Sequence, residues 1–289
     1  MNLITGLTIA SQNQTITFDG SNYILEEVTG LETPTTRLVR YNLPGASGAY
    51  ISNALYGERA LKIKGWVNAS DASRLTYMTN RINLINTLAY QRDDNNNLVN
   101  QTLTFTLENG LILTTTGYVD TGLQMGFSPD QTDFEEFQIT FVCPDPNLYS
   151  LTQSSYSVSL PVGGGVAIPT AIPISLAPSS GGTVVVTNQG SGTVFPTITL
   201  TAPLTRPYIT NRRTGGFLSL NVTTNVGDAN IVIDCANQKI TQGTNDITGV
   251  QSQDSSFWDI LGGNNTIAFS AAAGSGSGTI QFYAAYLGI

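Results

Sequence analysis

At 289 residues and 40% hydrophobic content, the chain is long enough for two domains of ordinary size and too apolar for a disordered polymer. Only 11% of its residues are charged and the net charge is −8, which argues against DNA or RNA as a bound ligand because phosphate binding needs a basic patch. The absence of histidine excludes Ser-His and Cys-His nucleophiles and histidine metal sites, and no CxxC pair exists.

Neither a metal nor a cofactor is expected. Cys143 and Cys235 lie far apart, and free, partly buried thiols are the better reading than a disulfide. Met1 to Ala10 has neither the basic region nor the apolar core of a signal peptide, and the longest apolar runs are far short of a membrane span. The expectation is a soluble protein made in a cytoplasm, with no membrane anchor.

In chain order, Gln14–Phe18 and Tyr23–Leu25 flank Asp19-Gly20, a hairpin signal because the central positions need φ > 0. Arg37–Tyr41 reads as a strand and leads into a loop over Asn42–Gly57. Arg59–Val67 answers it as an alternating strand, with Leu61 and Ile63 facing one way and Lys62, Lys64 and Trp66 the other. These two strands and their loop predict a hairpin that projects from the body.

One helix is predicted over Ala72–Tyr90, about 28 Å long, capped by Ser70 or Asp71. Leu75, Met78, Ile82, Ile85 and Leu88 recur at three and four residues, so this stripe is expected to be its buried face. Asp93-Asp94 sits in a polar loop that lacks the glycine and terminal glutamate of a calcium loop, so a solvated turn is the better reading. Leu103–Leu107 and Leu111–Leu113 flank Asn109-Gly110, a second hairpin signal.

Phe137–Phe141 alternates as a strand and then meets Cys143-Pro144-Asp145-Pro146. Two prolines two residues apart end the strand in a stiff elbow. The chain changes character there: residues 1–145 hold 15 of the 20 acids and 8 of the 12 bases, a net −7, against a net −1 beyond. We therefore expect domains at 1–145 and 146–289, with Cys143, Pro144, Asp145 and Pro146 as the hinge between them.

Beyond the elbow the chain reads as short strands with turns between them, the pattern of a β-sandwich. The strands are expected at Tyr156–Leu160, Val184–Thr187, Ile198–Thr201, Phe217–Val222, Ile231–Cys235, Thr266–Phe269 and Ile280–Tyr286. Pro161–Gly182 reads as an extended arm or edge segment, and Ala271–Gly278 as a flexible hairpin tip.

No catalytic set emerges. Adjacent carboxylates such as Glu26-Glu27 are expected on opposite faces of a strand, unable to act on one bond together. Gly163-Gly164-Gly165 lacks the Lys-Ser/Thr of a phosphate loop. Phe257-Trp258 is open to a sugar platform, but an aromatic pair closing a sandwich core is the more common arrangement.

Taken along its length, the chain resembles the distal tail proteins of long, flexible, non-contractile (siphovirus-type) phage tails. The residues that carry the resemblance in the first half are Val28-Thr29-Gly30-Leu31, Pro34, Arg37, Gly48-Ala49-Tyr50, Gly57-Glu58-Arg59, Leu61-x-Ile63-x-Gly65, Leu75, Arg81, Gly117-Tyr118-Val119, and Phe137-x-Ile139-x-Phe141 to Asp145-Pro146 and Tyr149. In the second half they are Asn188-x-Gly190, Pro196-x-Ile198, Asn211, Thr214-Gly215, Ile233-Asp234 and Phe257 to Asn264.

The resemblance implies a mainly β protein: an N-terminal tail-tube-like β-sandwich with one helix, and a C-terminal galectin-like β-sandwich. It implies a virion protein of the tail tip, made in the bacterial host cytoplasm, that forms a homo-hexameric ring around a channel. DNA would pass through the channel without specific binding.

The partners so implied are the tail tube protein, a tail-tip hub or tail-associated lysin-like protein, and receptor-binding or side-fibre proteins. The alternative is a carbohydrate-binding host-adhesion protein that uses the C-terminal sandwich. A channel for DNA must not hold phosphate, so a net-negative lumen is expected, with candidate lining acids Asp93, Asp94, Glu108, Asp130, Asp133, Glu135 and Glu136.

Overall fold

Strict two-residue alternation in the first half of the chain produces two antiparallel sheets that share one core. A computed structural model describes residues 4–12, 14–45, 47–69, 71, 73–126, 134–161 and 182–289. These fall into two units, Met1–Leu151 with Tyr286–Ile289, and Thr152–Ala285. The division therefore lies inside a strand beyond the elbow at Pro144-Asp145-Pro146, and the chain's last residues return to the first unit.

The first unit contains β1 (Ile4–Ala10), β2 (Thr15–Phe18), β3 (Tyr23–Thr29), β4 (Thr36–Asn42), β5 (Ala49–Tyr56), β6 (Arg59–Asn68), α1 (Arg74–Leu88), β7 (Gln101–Leu107), β8 (Ile112–Met125), β9 (Phe134–Cys143) and the start of β10 (Leu148–Ser159). One sheet runs β2-β1-β7-β8-β10 and the other β3-β6-β9-β8. The long β8 serves both: Ile112–Gly117 pairs with β7, and Tyr118–Met125 pairs with β9 through two register shifts that lie between Val119 and Gln124. Such irregularities bend a strand and increase its twist, which is how one strand turns the corner of a sandwich.

Leu61, Ile63 and Val67 of β6, Leu103 and Phe105 of β7, and Phe137, Ile139 and Phe141 of β9 are all buried in this core. Each such side chain contributes about 1.5–3 kcal/mol on burial. Gly65 completes the inward series on β6, where an added Cβ would lie 2.4 Å from the Ile24 carbonyl oxygen and 3.0 Å from the Phe137 ring.

Two expectations change here. Asp19-Gly20 turns the chain, with Asp19 Oδ1 accepting from the Ser21 backbone N–H at 2.9 Å and hydroxyl at 2.6 Å. It joins two sheets instead of closing a hairpin, because β2 pairs with β1 while β3 pairs with β6. The 42–57 loop contains β5, and it is β5 that pairs with β4, leaving β6 to the core. The Asn109-Gly110 hairpin forms as read, with Thr106 opposite Ile112.

The helix buries a different face from the one its apolar stripe suggests. Tyr77, Asn80, Leu84, Thr87 and Leu88 are buried, whereas Leu75 is 78% and Ile82 50% exposed. The inward polar groups are satisfied: Asn80 Nδ2 donates to the Asn68 carbonyl at 2.8 Å, and the Thr87 hydroxyl donates to the Asn83 carbonyl at 2.8 Å. A buried polar group that keeps its hydrogen bonds costs little, so pattern alone misplaces the face. The N-cap is Ser73, and Asp71 accepts from the Ser73 N–H and the Thr76 hydroxyl.

The second unit contains β11 (Thr183–Asn188), β12 (Thr197–Leu200), β13 (Leu204–Thr205), β14 (Tyr208–Asn211), β15 (Phe217–Ser219), β16 (Thr223–Thr224), β17 (Ile231–Asp234), β18 (Lys239–Gln242), β19 (Asn245–Asp246), β20 (Gly263–Ser270), β21 (Ala273–Gly274) and β22 (Ser277–Tyr286). One sheet runs β19-β18-β17-β12-β22 with the later part of β10 at its edge, and a second runs β11-β20-β14-β15. Val186, Ile198, Ile209, Leu218, Ile233, Ile267, Phe269 and Ile280 are buried.

The 271–278 segment is no free tip. β21 pairs with β13, and a Cβ on Gly276 would lie 2.0 Å from the Thr201 carbonyl oxygen, so glycine here permits close packing. Nearly all of Pro161–Gly182, including Gly163-Gly164-Gly165, lies outside the described residues, as do Ser70 and Ala72.

Cys143 closes β9 in the first unit and Cys235 follows β17 in the second; both are free and buried. Burial pushes their thiols up to about 11 and about 12. We expect a thiol reagent at pH 8 to leave the native chain unmodified and to find two groups per chain in denaturant, since the thiolate is the reactive form. Fast labelling of the native protein would contradict this burial.

Candidate functional site

The most unusual surface of the first unit is the β4–β5 hairpin. Its strands pair from Thr36 opposite Tyr56 to Asn42 opposite Ala49, and the base is closed by the Gly57 N–H donating to the Thr35 carbonyl at 2.7 Å. Every residue of both strands is exposed. A hairpin that packs on nothing is marginal in water, yet this one carries Leu38, Val39, Tyr41, Tyr50, Ile51, Leu55 and Tyr56, all exposed. Contiguous exposed apolar surface of this kind marks an interaction site.

The hairpin is also electrostatically opposite to its own unit. Arg37 and Arg40 are the only charged residues between 36 and 56, while the rest of residues 1–151 holds 15 acids and 6 bases. Neither arginine forms an ion pair among the described residues.

At the base of the hairpin stands Arg59, 1% exposed. Its Nη1 donates to the carbonyls of Gly30 at 2.6 Å and Glu32 at 2.8 Å, its Nε to Pro146 at 2.8 Å, and its Nη2 to Leu287 at 2.8 Å. Burial lowers its pKa from the ordinary guanidinium value, offset in part by Cys143, Glu32 and Asp145 nearby. The rigid fork of a guanidinium is suited to such divergent acceptors. The elbow is thus braced from inside the first unit. Pro146 accepts from Arg59, and Asp145 accepts from the Asn147 N–H at 2.9 Å and the Tyr149 hydroxyl at 2.6 Å.

The candidate lining acids scatter. Asp93 caps its own turn, accepting from Asn95 and Asn97, and these hydrogen bonds, the Asn97 side chain first, hold its pKa below the usual carboxylate value. Asp94 and Glu108 are exposed, and Asp130 and Asp133 lie outside the described residues. Glu135 is 3% exposed: its Oε2 accepts from Tyr77 Oη at 2.7 Å and Arg81 Nε at 2.9 Å. Glu136, next along β9, is exposed.

Glu26 is the extra residue of a bulge opposite β6, and with Glu27 and Glu32 it lines one cavity of about 180 Å³. The expectation that Glu26 and Glu27 turn away from each other fails there, because a bulge breaks the alternation.

In the second unit, asparagines hold the loops. Asn188 Nδ2 donates to the Gly192 carbonyl, Asn211 Nδ2 to the Asp259 carbonyl and to Asn265 Oδ1, and Asn265 Nδ2 to the Leu261 and Gly263 carbonyls. All three are at most 1% exposed. These are positions that carried the sequence resemblance or adjoin it, and their role is to fix backbone. Trp258 is 3% exposed and so offers no ring to a sugar.

The described residues form two mainly β units, one sandwich bearing a single α-helix and a second sandwich built of short strands. Residues 189–286 match the family model described as siphovirus-type tail component, C-terminal domain. Among solved structures, the chain is similar to the SPP1 Dit (gp 19.1) protein, described as a paradigm of the hub adsorption apparatus in Gram-positive infecting phages. The identity is 16% and the TM-score 0.64, covering 96% of this chain and 99% of that one.

Baseplate structures of phage P2 in its activated conformation with Ca, and of phage p2 with Sr, match at 10% identity with TM-scores of 0.47 and 0.45. Each match covers 96% of this chain and 97% of that one. No curated protein matches. The resemblance to distal tail proteins is thus carried by the family model over residues 189–286 and by the fold along nearly the whole chain.

Proposed function

We propose that this chain is a structural hub protein of a phage tail tip, and that its first unit self-associates into a hexameric ring around a channel for DNA. The observation that carries the reading is the β4–β5 hairpin, an apolar projection on which every strand residue is exposed, on a unit with an otherwise well-filled core. A lone molecule gains nothing from such a surface, whereas an assembly buries it. The second unit, with its loops fixed by buried asparagines, is the docking platform for tip and receptor-binding parts.

The lumen is net negative in this reading, with Asp94, Glu108 and Glu136 the exposed candidates among the described residues. The test is the mass of the full chain in solution together with an image of the particle. A hexamer with a central opening is expected, and its potential map should show a negative channel wall. A chain that stays monomeric at high concentration overturns the ring. A lumen lined by Arg37, Arg40, Lys62 and Lys64 overturns the acidic channel.

A further inference from the structure

We infer that a cavity of about 440 Å³ at the Trp66 end of β6 binds a primary alkylammonium group, the head of a free aliphatic amine or of a lysine side chain.

Three neighbouring strands supply its walls. Trp66 on β6 stands opposite Glu136 on β9, and Gln138 on β9 stands opposite Gln124 on β8. Alternation puts Trp66, Glu136 and Gln138 on the face of the sheet turned away from the core, and directly opposite side chains there have Cβ atoms about 4.5–5.5 Å apart. Trp66 is half-buried and Glu136 exposed. Phe134 packs on the indole with ring centroids 5.8 Å apart, which fixes Trp66 as one wall.

Glu135 supplies the pointer to a ligand. It is 3% exposed, and its Oε2 accepts from Tyr77 Oη and Arg81 Nε, but its Oε1 is buried with no hydrogen-bond partner. Gly126 also lines the cavity, and a Cβ built on it would lie 3.9 Å from that oxygen. The oxygen therefore lies one contact layer behind the cavity wall. A buried carboxylate oxygen without a donor is uncommon in a folded protein, and a donor from outside the chain completes it.

Charge sets the class of that donor. Arg81 pairs with Glu135 at 2.9 Å, and Lys64, opposite Gln138, is taken by Glu27 at 3.6 Å. Glu136 forms no ion pair among the described residues, so the cavity keeps its negative charge and repels phosphates and carboxylates. A metal ion lacks ligands, since no group of three His, Cys, Asp or Glu among the described residues could hold one. An alkylammonium is matched on both counts. Its three N–H groups meet the carboxylate of Glu136, the open oxygen of Glu135 and the side-chain carbonyls of Gln124 and Gln138. Its stem and charge meet the face of Trp66, which attracts a cation. Glu135 has one open oxygen, not two, so the flat fork of a guanidinium finds no two-point partner in it.

Titration of the full chain with n-pentylamine at pH 7, where an aliphatic amine is protonated, tests the site. Trp66 fluorescence reports it, because the other tryptophan, Trp258, is 3% exposed in the second unit. A saturable change with a midpoint on the order of 1–10 mM is expected, the strength open to a ligand of about six heavy atoms. Pentanol and matched potassium chloride should give none. Glu136→Gln should raise the midpoint by about tenfold or more, the loss of a charge-assisted hydrogen bond. Glu108→Gln, which removes an acid outside the cavity, should leave it unchanged. Both acids are exposed, so neither substitution touches the core. Nα-acetyl-lysine methylamide separates the sources: a response matching that of pentylamine assigns the site to a protein lysine, and a response to pentylamine alone assigns it to a free amine. No saturable response to pentylamine, an equal response to pentanol, or a midpoint unmoved by Glu136→Gln overturns the site.

Discussion

Arg59→Met is expected to destabilise the first unit by about 2–4 kcal/mol, because hydrogen bonds made by a charged group are worth more than neutral ones, and to lower its Tm by roughly 5–10 °C. Methionine keeps much of the packing of the stem. What it removes are four charge-assisted donations, to the carbonyls of Gly30, Glu32, Pro146 and Leu287, that tie together distant parts of the first unit. Arg59→Lys should recover only part of the loss, since one ammonium at the end of a flexible stem cannot span acceptors that a planar fork reaches. The two tryptophans fall one to each unit, so Trp66 fluorescence reports the transition of the first unit. A shift below about 1 kcal/mol would show that water replaces the guanidinium there.

Arg59 also shows where sequence reasoning stops. Its strand was legible, because Leu61, Ile63 and Val67 alternate with Lys62, Lys64 and Trp66 and the burial follows suit. That the arginine at the head of this series points inward is the same alternation carried one step further. A charged side chain argues against that step until its acceptors are known, and they come from residues 30, 32, 146 and 287. Nothing local announces Leu287. The return of residues 286–289 to the first unit is a tertiary fact, as is the Ile289 N–H donating to the Leu31 carbonyl at 3.1 Å.

Turn chemistry was read correctly and strand pairing less so. Asn109-Gly110 and Asp19-Gly20 both turn the chain, but only the first joins neighbours in one sheet. In a sandwich the same turn signal serves a hairpin and a change of layer alike. The second unit's shortest strands, such as Leu204–Thr205 and Thr223–Thr224, are two residues long and carry no periodicity to read.

The candidate site was half visible. A projecting hairpin was expected, but with β6 as its second strand. Ala49–Tyr56, classed as loop for its Gly, Ser and Asn neighbours, supplies that strand. The exposed face of the helix departs from a rule that usually holds, that an apolar helical stripe faces the core. Here Tyr77 reaches Glu135 and Asn80 reaches Asn68, so polar side chains help hold the helix down, and of the apolar stripe Leu75, Ile82 and Ile85 are left outside while Leu88 is buried.

Replacing residues 36–56 with a short turn between Thr35 and Gly57 is expected to abolish assembly while leaving each unit folded. The graft is feasible because the Gly57 N–H and Thr35 carbonyl are already 2.7 Å apart. Stability should change by no more than about 1 kcal/mol, since every strand residue removed is exposed and loop length enters closure entropy only logarithmically. Assembly should respond far more. Half-burying seven large apolar side chains contributes about 1 kcal/mol each, and even after the entropy of association a loss of about 3 kcal/mol per contact raises the half-assembly concentration at least about 100-fold. Tyr50→Ser with Ile51→Ser should reproduce part of this without any change of loop length. The measurement is sedimentation or light scattering across a concentration series, with unfolding curves on the same samples. Rings that persist without the hairpin would place self-association on another surface of the chain and would leave its exposed tyrosines for a different protein of the tail tip.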